Sequence, residues 1–519
     1  HWYLASLSSP AEHVAGATFV GGPLFLVGHN EKAAWGLTAG LVDNTDLFME
    51  DIGPDGRSVR QGDSYQPCHV MEEVIEVKGS APVTESVLIT PRGPIISPGL
   101  HETSQALSLR ATWLDPLPVT GLFRIHQVGS FEEFRAAFRH WPVAAQNMVY
   151  ADTSGTIGWQ LIGRAPVRKK GHGTLPQHGA DPGAGWRDDP VPFEEMPSLE
   201  NPPSGFVATA NNRPQPEGVG PFLGVDFIDG YRYQAIHDAL GQRRDWTVED
   251  TLALQMNQQA MAWVEMRDFV LSARGSDPDT RLALRLLGEW DGHLGGDSIP
   301  AAVYELFLSE MFTRITRAKA PNSWRWLLGA NLSPITRFNF TLFRRTGHLI
   351  RLLRQRPAGW FSHPWEQEIA QALGEAVRRL RAHRGADQHR WKWGEVRPLV
   401  MHHLLSRAPG KMGRAFAAIF NLGPFPCGGD ADVINQAGIE PLTPFAKADN
   451  IASMRAVFDV GAWENCRFTL PGGQSGNPLS PHYGDLFPLW QKGQGVPIAF
   501  TAEEVEQARQ KTLILRPSS

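Results

Sequence analysis

An α+β architecture, with blocks of strand enclosing a helical insertion, is the fold class this sequence predicts. Three observations carry it. Short β-branched and aromatic runs punctuated by Gly and Pro fill residues 15–162. An apolar period of i, i+3, i+4 takes over from about Tyr231 to Arg384, and strand-like runs return after Trp391. Strands and helices in separate blocks argue against an alternating βαβ enzyme. The expected division is 1–230, strand-rich; 231–390, the helical insertion; and 391–519, closing strands with a Gly-rich loop.

In chain order, "ATFVGGPLFLVG", "EEVIEVKG", "SVLITPRGPIIS" and "MVYADTSGTIGWQLIG" read as strands bounded by turn residues. From Arg164 to Ser204 the chain is rich in Gly, Pro and charge. It reads as a long ordered loop, because Trp186 and Phe193 need burial. Helices are expected at "YQAIHDAL", at "TVEDTLALQMNQQAMAW" with Thr247 as N-cap, at "TRLALRLLGEW", at "AAVYELFLSEMF" and at "WEQEIAQALGEAVRRLRAH". "ASMRAVFDVG" and "NCRFTLPGG" read as strands, and a short amphipathic helix is expected near Ala502 to Lys511.

Composition excludes several classes of function. With a net charge of -5 over 519 residues, no basic face points to nucleic acid. The densest basic run, Arg378, Arg379, Arg381 and Arg384, lies in a helical pattern and reads as a solvated face. Cys68, Cys427 and Cys466 have neither disulfide-framework nor metal spacing. No stretch reaches the roughly 18 apolar residues of a membrane span. The chain opens on His1 without Met, which suggests a piece of a longer protein.

There is no GxSxG elbow, HExxH or P-loop. His402 with His403, and the loop "HGTLPQHG", lack an acid at ligand spacing; a metallo-amidase using His402 and His403 is one alternative. "GGQSGNPLSPHYGDL" has the bare backbone that allows close approach. Two stretches are denser in chemistry. In "VGHNEKAAWGLTAGLVDNTDLFMED" a nearly bare turn precedes Asp43, Asp46, Glu50 and Asp51, whose oxygens suit either a plain hairpin or calcium. In "NPPSGFVATANNRPQP" a strand-like run delivers Asn211 and Asn212 at its end, where an amide can cap a turn or donate to an oxyanion.

Taken together, "VAGATFVGGPLFLVGHNEKAAWGLT", "DNTDLFMED", "NMVYADTSGTIGW", "NPPSGFVATANNRP", "GYRYQAI", "GEWDGHLGGDSIPAAVYELF", "RWKWGEV" and "LPGGQSGNPLSPHYGDLFPLWQKG" resemble the β subunit of the penicillin acylase family. These are N-terminal-nucleophile amidohydrolases made by self-cleavage of one precursor. The resemblance implies a four-layer αββα sandwich. It puts the oxyanion hole on the Ala39 backbone N–H and the Asn211 side chain, with Arg232 beside them. It puts a structural calcium on Asp43, Thr45, Asp46 and Asp226, and an acyl pocket on Val27, Leu37 and Leu41. These three are apolar, so the expected acyl group is aliphatic or aromatic, and the substrate a small N-acyl amide. The family's catalytic N-terminal Ser is expected about 30 residues before His1 (the general logic of such nucleophiles is). The α subunit from the same precursor is the expected partner, and a periplasmic or secreted location follows from the family. A non-catalytic, calcium-stabilised binding protein on the same scaffold is the second alternative.

Overall fold

The computed structural model describes residues 2–22, 24–97, 105–119, 121–330, 345–448 and 450–517. Its main sheet has seven antiparallel strands in the order Trp2–Ser8, His13–Phe19, Val27–Asn30, Ala33–Ala39, Gln146–Asp152, Ile157–Ile162 and Ser198–Glu200. The register pairs Trp2 with Phe19, Gly28 with Trp35 and Gln146 with Ala39. Gly16 and Gly28 face one another across neighbouring strands. A Cβ on Gly16, whose φ is +150°, would lie 2.3 Å from the Val27 carbonyl oxygen, so the two strands meet only because that position is bare.

The period of two assigns the faces. Val14 points to one side, with Phe25, Trp35, Met148, Tyr150 and Ile162, against a helix at Phe131–Ala137. Ala15 and Ala17 point to the other, against Phe468, Leu470, Ile498 and Phe500. That second layer is a small sheet of Arg455–Val457, Arg467–Thr469 and Val496–Pro497. A separate three-stranded sheet places Ala106–Ala111 and Gln177–His178 on either side of Thr45–Glu50.

His29 is fully buried, stacked on Trp463 at 4.3 Å and close to Phe500. Burial pushes its pKa down to about 4, against its bond to the Asn30 carbonyl and with His13 and Glu504 as the nearby charges. The folded ring therefore stays neutral where the unfolded ring, titrating near 6.5, takes a proton. Stability from this site is complete above pH 6.5 and falls as pH drops toward 4, by about 3 kcal/mol in all. Urea titrations across that range should show the loss in the parent protein and a flatter profile in His29→Phe.

The chain turns helical at Tyr231–Gln242. A 21-residue helix, Ile299–Lys319, is the axis of the largest core, which gathers Trp263, Met266, Tyr304, Phe307, Leu373, Val377, Trp391 and Trp393. The single helix expected from Thr247 onward is two, Val248–Gln255 and Met261–Leu271. Between them Asn257 Oδ1 takes the Gln259 N–H, and Gln259 bridges to His293. Thr247 caps as expected, with Asp250 closing the box. The basic run on Trp365–Arg384 is not merely solvated: Arg381 pairs with Asp279 at 2.7 Å, Arg378 with Asp277 at 3.3 Å and Arg379 with Glu310 at 3.6 Å. No helix among the described residues is long and apolar enough to cross a membrane.

Candidate active site

Ala39 ends its strand at the rim of the main sheet. One residue on, Gly40 N–H donates to the Ala145 carbonyl at 2.8 Å. By the alternation of an antiparallel ladder, the Ala39 N–H then faces away from the Gln146–Asp152 strand. On that side the Val27–Asn30 strand pairs only as far as Trp35, so among the described residues no ladder partner meets Ala39. The Ala39 carbonyl is held twice. Asn211 Nδ2 donates to it at 3.0 Å and Asn147 Nδ2 at 3.2 Å, with Asn147 itself anchored by Trp159 Nε1 at 3.1 Å.

Asn211 sits at φ +63°, a left-handed conformation that Asn tolerates better than most residues. Arg232 Nη2 donates to Asn211 Oδ1 and to the Ala210 carbonyl, each at 2.8 Å. A guanidinium can only donate, so it fixes which end of the carboxamide is oxygen and turns the NH₂ toward Ala39. One of the two Nδ2 hydrogens is spent on the Ala39 carbonyl. Thr38 and Thr209 hydroxyls, 3.0 Å apart, tie the two segments together. Burial lowers the Arg232 pKa, while Asp432 and Asp430 behind it favour its charge. Burial, and after it the Asp432 charge beside it, raises Asp430 itself.

An apolar cavity of about 720 Å³ opens beside this pair, walled by Trp35, Leu37, Val149, Ile157, Phe206 and Phe458. Val27 and Leu37 line it as expected. Leu41 does not. At φ +51° it turns away and packs against the cluster of Val42, Ala145, Trp159 and Leu223. Arg455 also lines the cavity, but its Nη1 donates to the Trp490 carbonyl at 2.6 Å and its Nη2 to Asn435 Oδ1 at 2.7 Å.

The acids after Ala39 meet an arginine. Arg168, with its side chain 2% exposed, puts Nη2 at 2.8 Å from Asp46 Oδ1 and 3.1 Å from Asp43 Oδ2. Its Nε lies 3.0 Å from Asp46 Oδ2, and Trp186 Nε1 donates to that same oxygen at 2.6 Å. Burial raises the Asp43 pKa to about 6, with Arg168 acting in the opposite direction. Thr45 is the first residue of its strand and pairs with Ala111. Asp226 is exposed. These residues do not fit the calcium set expected for them, because a guanidinium already takes the carboxylate oxygens. Among the described residues, no group of three or more His, Cys, Asp or Glu is placed to hold a metal. His402 and His403 bond to Asn421 and to the Leu405 N–H instead.

The sequence model of the penicillin amidase family matches residues 1–507. The chain belongs to the penicillin amidase family. It is 28% identical to the acyl-homoserine lactone acylase QuiP of Pseudomonas fluorescens, over 98% of this chain and 64% of that protein. It is 29% identical to the penicillin acylase 2 proenzyme of Pseudomonas sp. SE83, over 92% of this chain and 60% of that one. The chain thus spans less than two thirds of the length of these relatives. A solved structure described as thermostable penicillin G acylase from Alcaligenes faecalis is similar in fold, with a TM-score of 0.71 at 20% identity, covering 100% of this chain and 94% of that one. The mixed α+β architecture is that of a penicillin G acylase-like structure.

For this penicillin amidase family member, sequence reading placed Ala39, Asn211 and Arg232 in one site and missed the residues that hold them. Asn147 and Thr209 lie in strand-like text with nothing local to mark them. Arg168 was hidden in a charged loop. The available clue was physical: Asp46 alternates inward in its strand, and a buried carboxylate needs a partner.

Proposed function

We propose that this chain forms most of an amidohydrolase that cleaves a small N-acyl amide through a seryl acyl-enzyme. The observation that carries it is the Asn211 carboxamide, locked by Arg232 against the Ala39 peptide at the edge of an apolar cavity. On this reading the Ala39 N–H and the Asn211 carboxamide would serve as the two donors to the negative charge of a tetrahedral intermediate, each worth about 3 kcal/mol there. In this reading a seryl hydroxyl from outside the 519 residues attacks the amide carbon, and its own α-amine takes the proton. Ala39 N–H and Asn211 hold the oxyanion, the amine leaves, and water frees the acid. A four-layer αββα sandwich, completed by an α subunit of the same precursor, is the scaffold this reading implies, with export to the periplasm or medium.

Val27 and Leu37 on the cavity wall favour an aliphatic or phenylacetyl acyl group of the penicillin or acyl-homoserine lactone type. Arg455 is committed to Trp490 and Asn435 and offers a poor seat for a carboxylate tail. The complete processed enzyme should hydrolyse fatty-acyl or phenylacetyl amides at least about tenfold faster, in kcat/KM, than glutaryl or adipyl amides, since a charge left unpaired in an apolar site costs more than 1.4 kcal/mol. A preference for the dicarboxylic series in that competition would overturn the specificity. No turnover of any N-acyl amide would overturn the reaction.

A further inference from the structure

We infer that Arg168 serves as the built-in cation of the Asp43–Asp46 loop, so that this chain holds the segment after Ala39 without calcium. The geometry is specific. A single nitrogen, Nη2, lies 2.8 Å from Asp46 Oδ1, 3.1 Å from Asp43 Oδ2 and 3.3 Å from the Asp43 carbonyl oxygen. Those are two carboxylates and one main-chain oxygen, the hard donors that a calcium ion between the acids would need. One donor group therefore stands where the ion would stand. The remaining Asp46 oxygen is covered by Arg168 Nε and Trp186 Nε1.

Two further features fit a permanent clamp. Gly173, at φ +69°, passes so close that a Cβ there would lie 2.1 Å from Asp46 Oδ1 and 2.4 Å from Arg168 Nε. Bare backbone seals the pair, which accounts for one glycine of the "HGTLPQHG" stretch. Phe222 covers the guanidinium at 5.8 Å, and His172 stacks on Phe222 at 4.3 Å. Arg168 reaches the acids from more than 120 residues away along the chain, so the clamp joins the loop beyond Ala39 to the long segment before Asn211. A planar guanidinium forks onto a carboxylate in fixed directions, which an ammonium does not do. The inference rests on this packing alone and holds whichever reaction the protein catalyses.

The test uses the full chain. Its Tm should be the same in EGTA and in millimolar CaCl₂. Terbium, which Trp186 would sensitise if it bound between the acids, should give no emission that CaCl₂ competes away. Arg168→Met should lower Tm by about 3 °C, because two inward carboxylates lose their counter-charge. The idea is overturned if CaCl₂ raises the parent Tm saturably and Asp46→Asn abolishes that rise, or if competed terbium emission appears. An unchanged Tm in Arg168→Met overturns it as well. Should that variant fail to fold, the metal titrations of the parent protein decide alone.

Discussion

Asn211→Ala should lower kcat of the complete enzyme by about 10²–10³ while leaving KM within about a factor of three, the signature of a donor used only when the carbonyl oxygen becomes an oxyanion. The reason lies in how the side chain is held. Arg232 at 2.8 Å fixes the oxygen end, and the Ala39 carbonyl at 3.0 Å takes one hydrogen of the other. Such an amide needs no reorganisation when charge develops. Position 211 has φ +63°, so Ala adds backbone strain that could be mistaken for a functional loss. Asn211→Gly separates the two, since it relieves the strain and still lacks the donor. Both variants should lose the same activity. Recovery of kcat in the glycine variant would show that the amide is a structural cap. Arg232→Lys should be intermediate, because a single ammonium does not reproduce the planar fork.

The largest loss of stability is expected from Arg92→Met. Glu50 has a side chain with 0% exposure, and Arg92 covers it with Nε at 2.8 Å from Oε1 and Nη2 at 2.5 Å from Oε2. Ser108 Oγ adds a 2.5 Å bond to the same carboxylate. Removing the arginine strands a charge inside the Ala106–Ala111 and Thr45–Glu50 strand pair, at a cost of about 3–5 kcal/mol. Guanidinium chloride titration should show it directly. Adding Glu50→Gln to Arg92→Met should restore part of the loss, since the uncompensated charge is then gone. A double variant no more stable than Arg92→Met would mean that shape, not charge, holds this spot.

These two sites also mark how far the sequence could be read. Ala39, Asn211 and Arg232 were singled out through the resemblance to the penicillin acylase family, and the structure places them in one hydrogen-bonded group, although the strand expected before Asn211 is irregular backbone. The blocks of strand and helix were legible from periodicity, as with Ile299–Lys319. What could not be read were directions and distant partners. Leu41 is apolar like Val27 and Leu37, but a left-handed φ turns it into another cluster, and nothing in "TAGLVD" announces that. Asp43 and Asp46 looked like ligands for an ion because their counter-charge lies on a residue more than 120 positions later. The break near Asn257 was invisible for a similar reason: its bridge runs to His293.

The double grip on the Ala39 carbonyl has a bearing on redesign. Asn147 and Asn211 approach it from separate elements, and neither belongs to the hydrophobic wall formed by Val27, Leu37, Val149, Ile157 and Phe206. If the proposed reaction holds, the donors for charge and the wall that would select the acyl chain are thus carried by different side chains. Under that reading, libraries that resculpt the wall should shift acyl preference while the hydrogen bonds on the Ala39 carbonyl stay untouched.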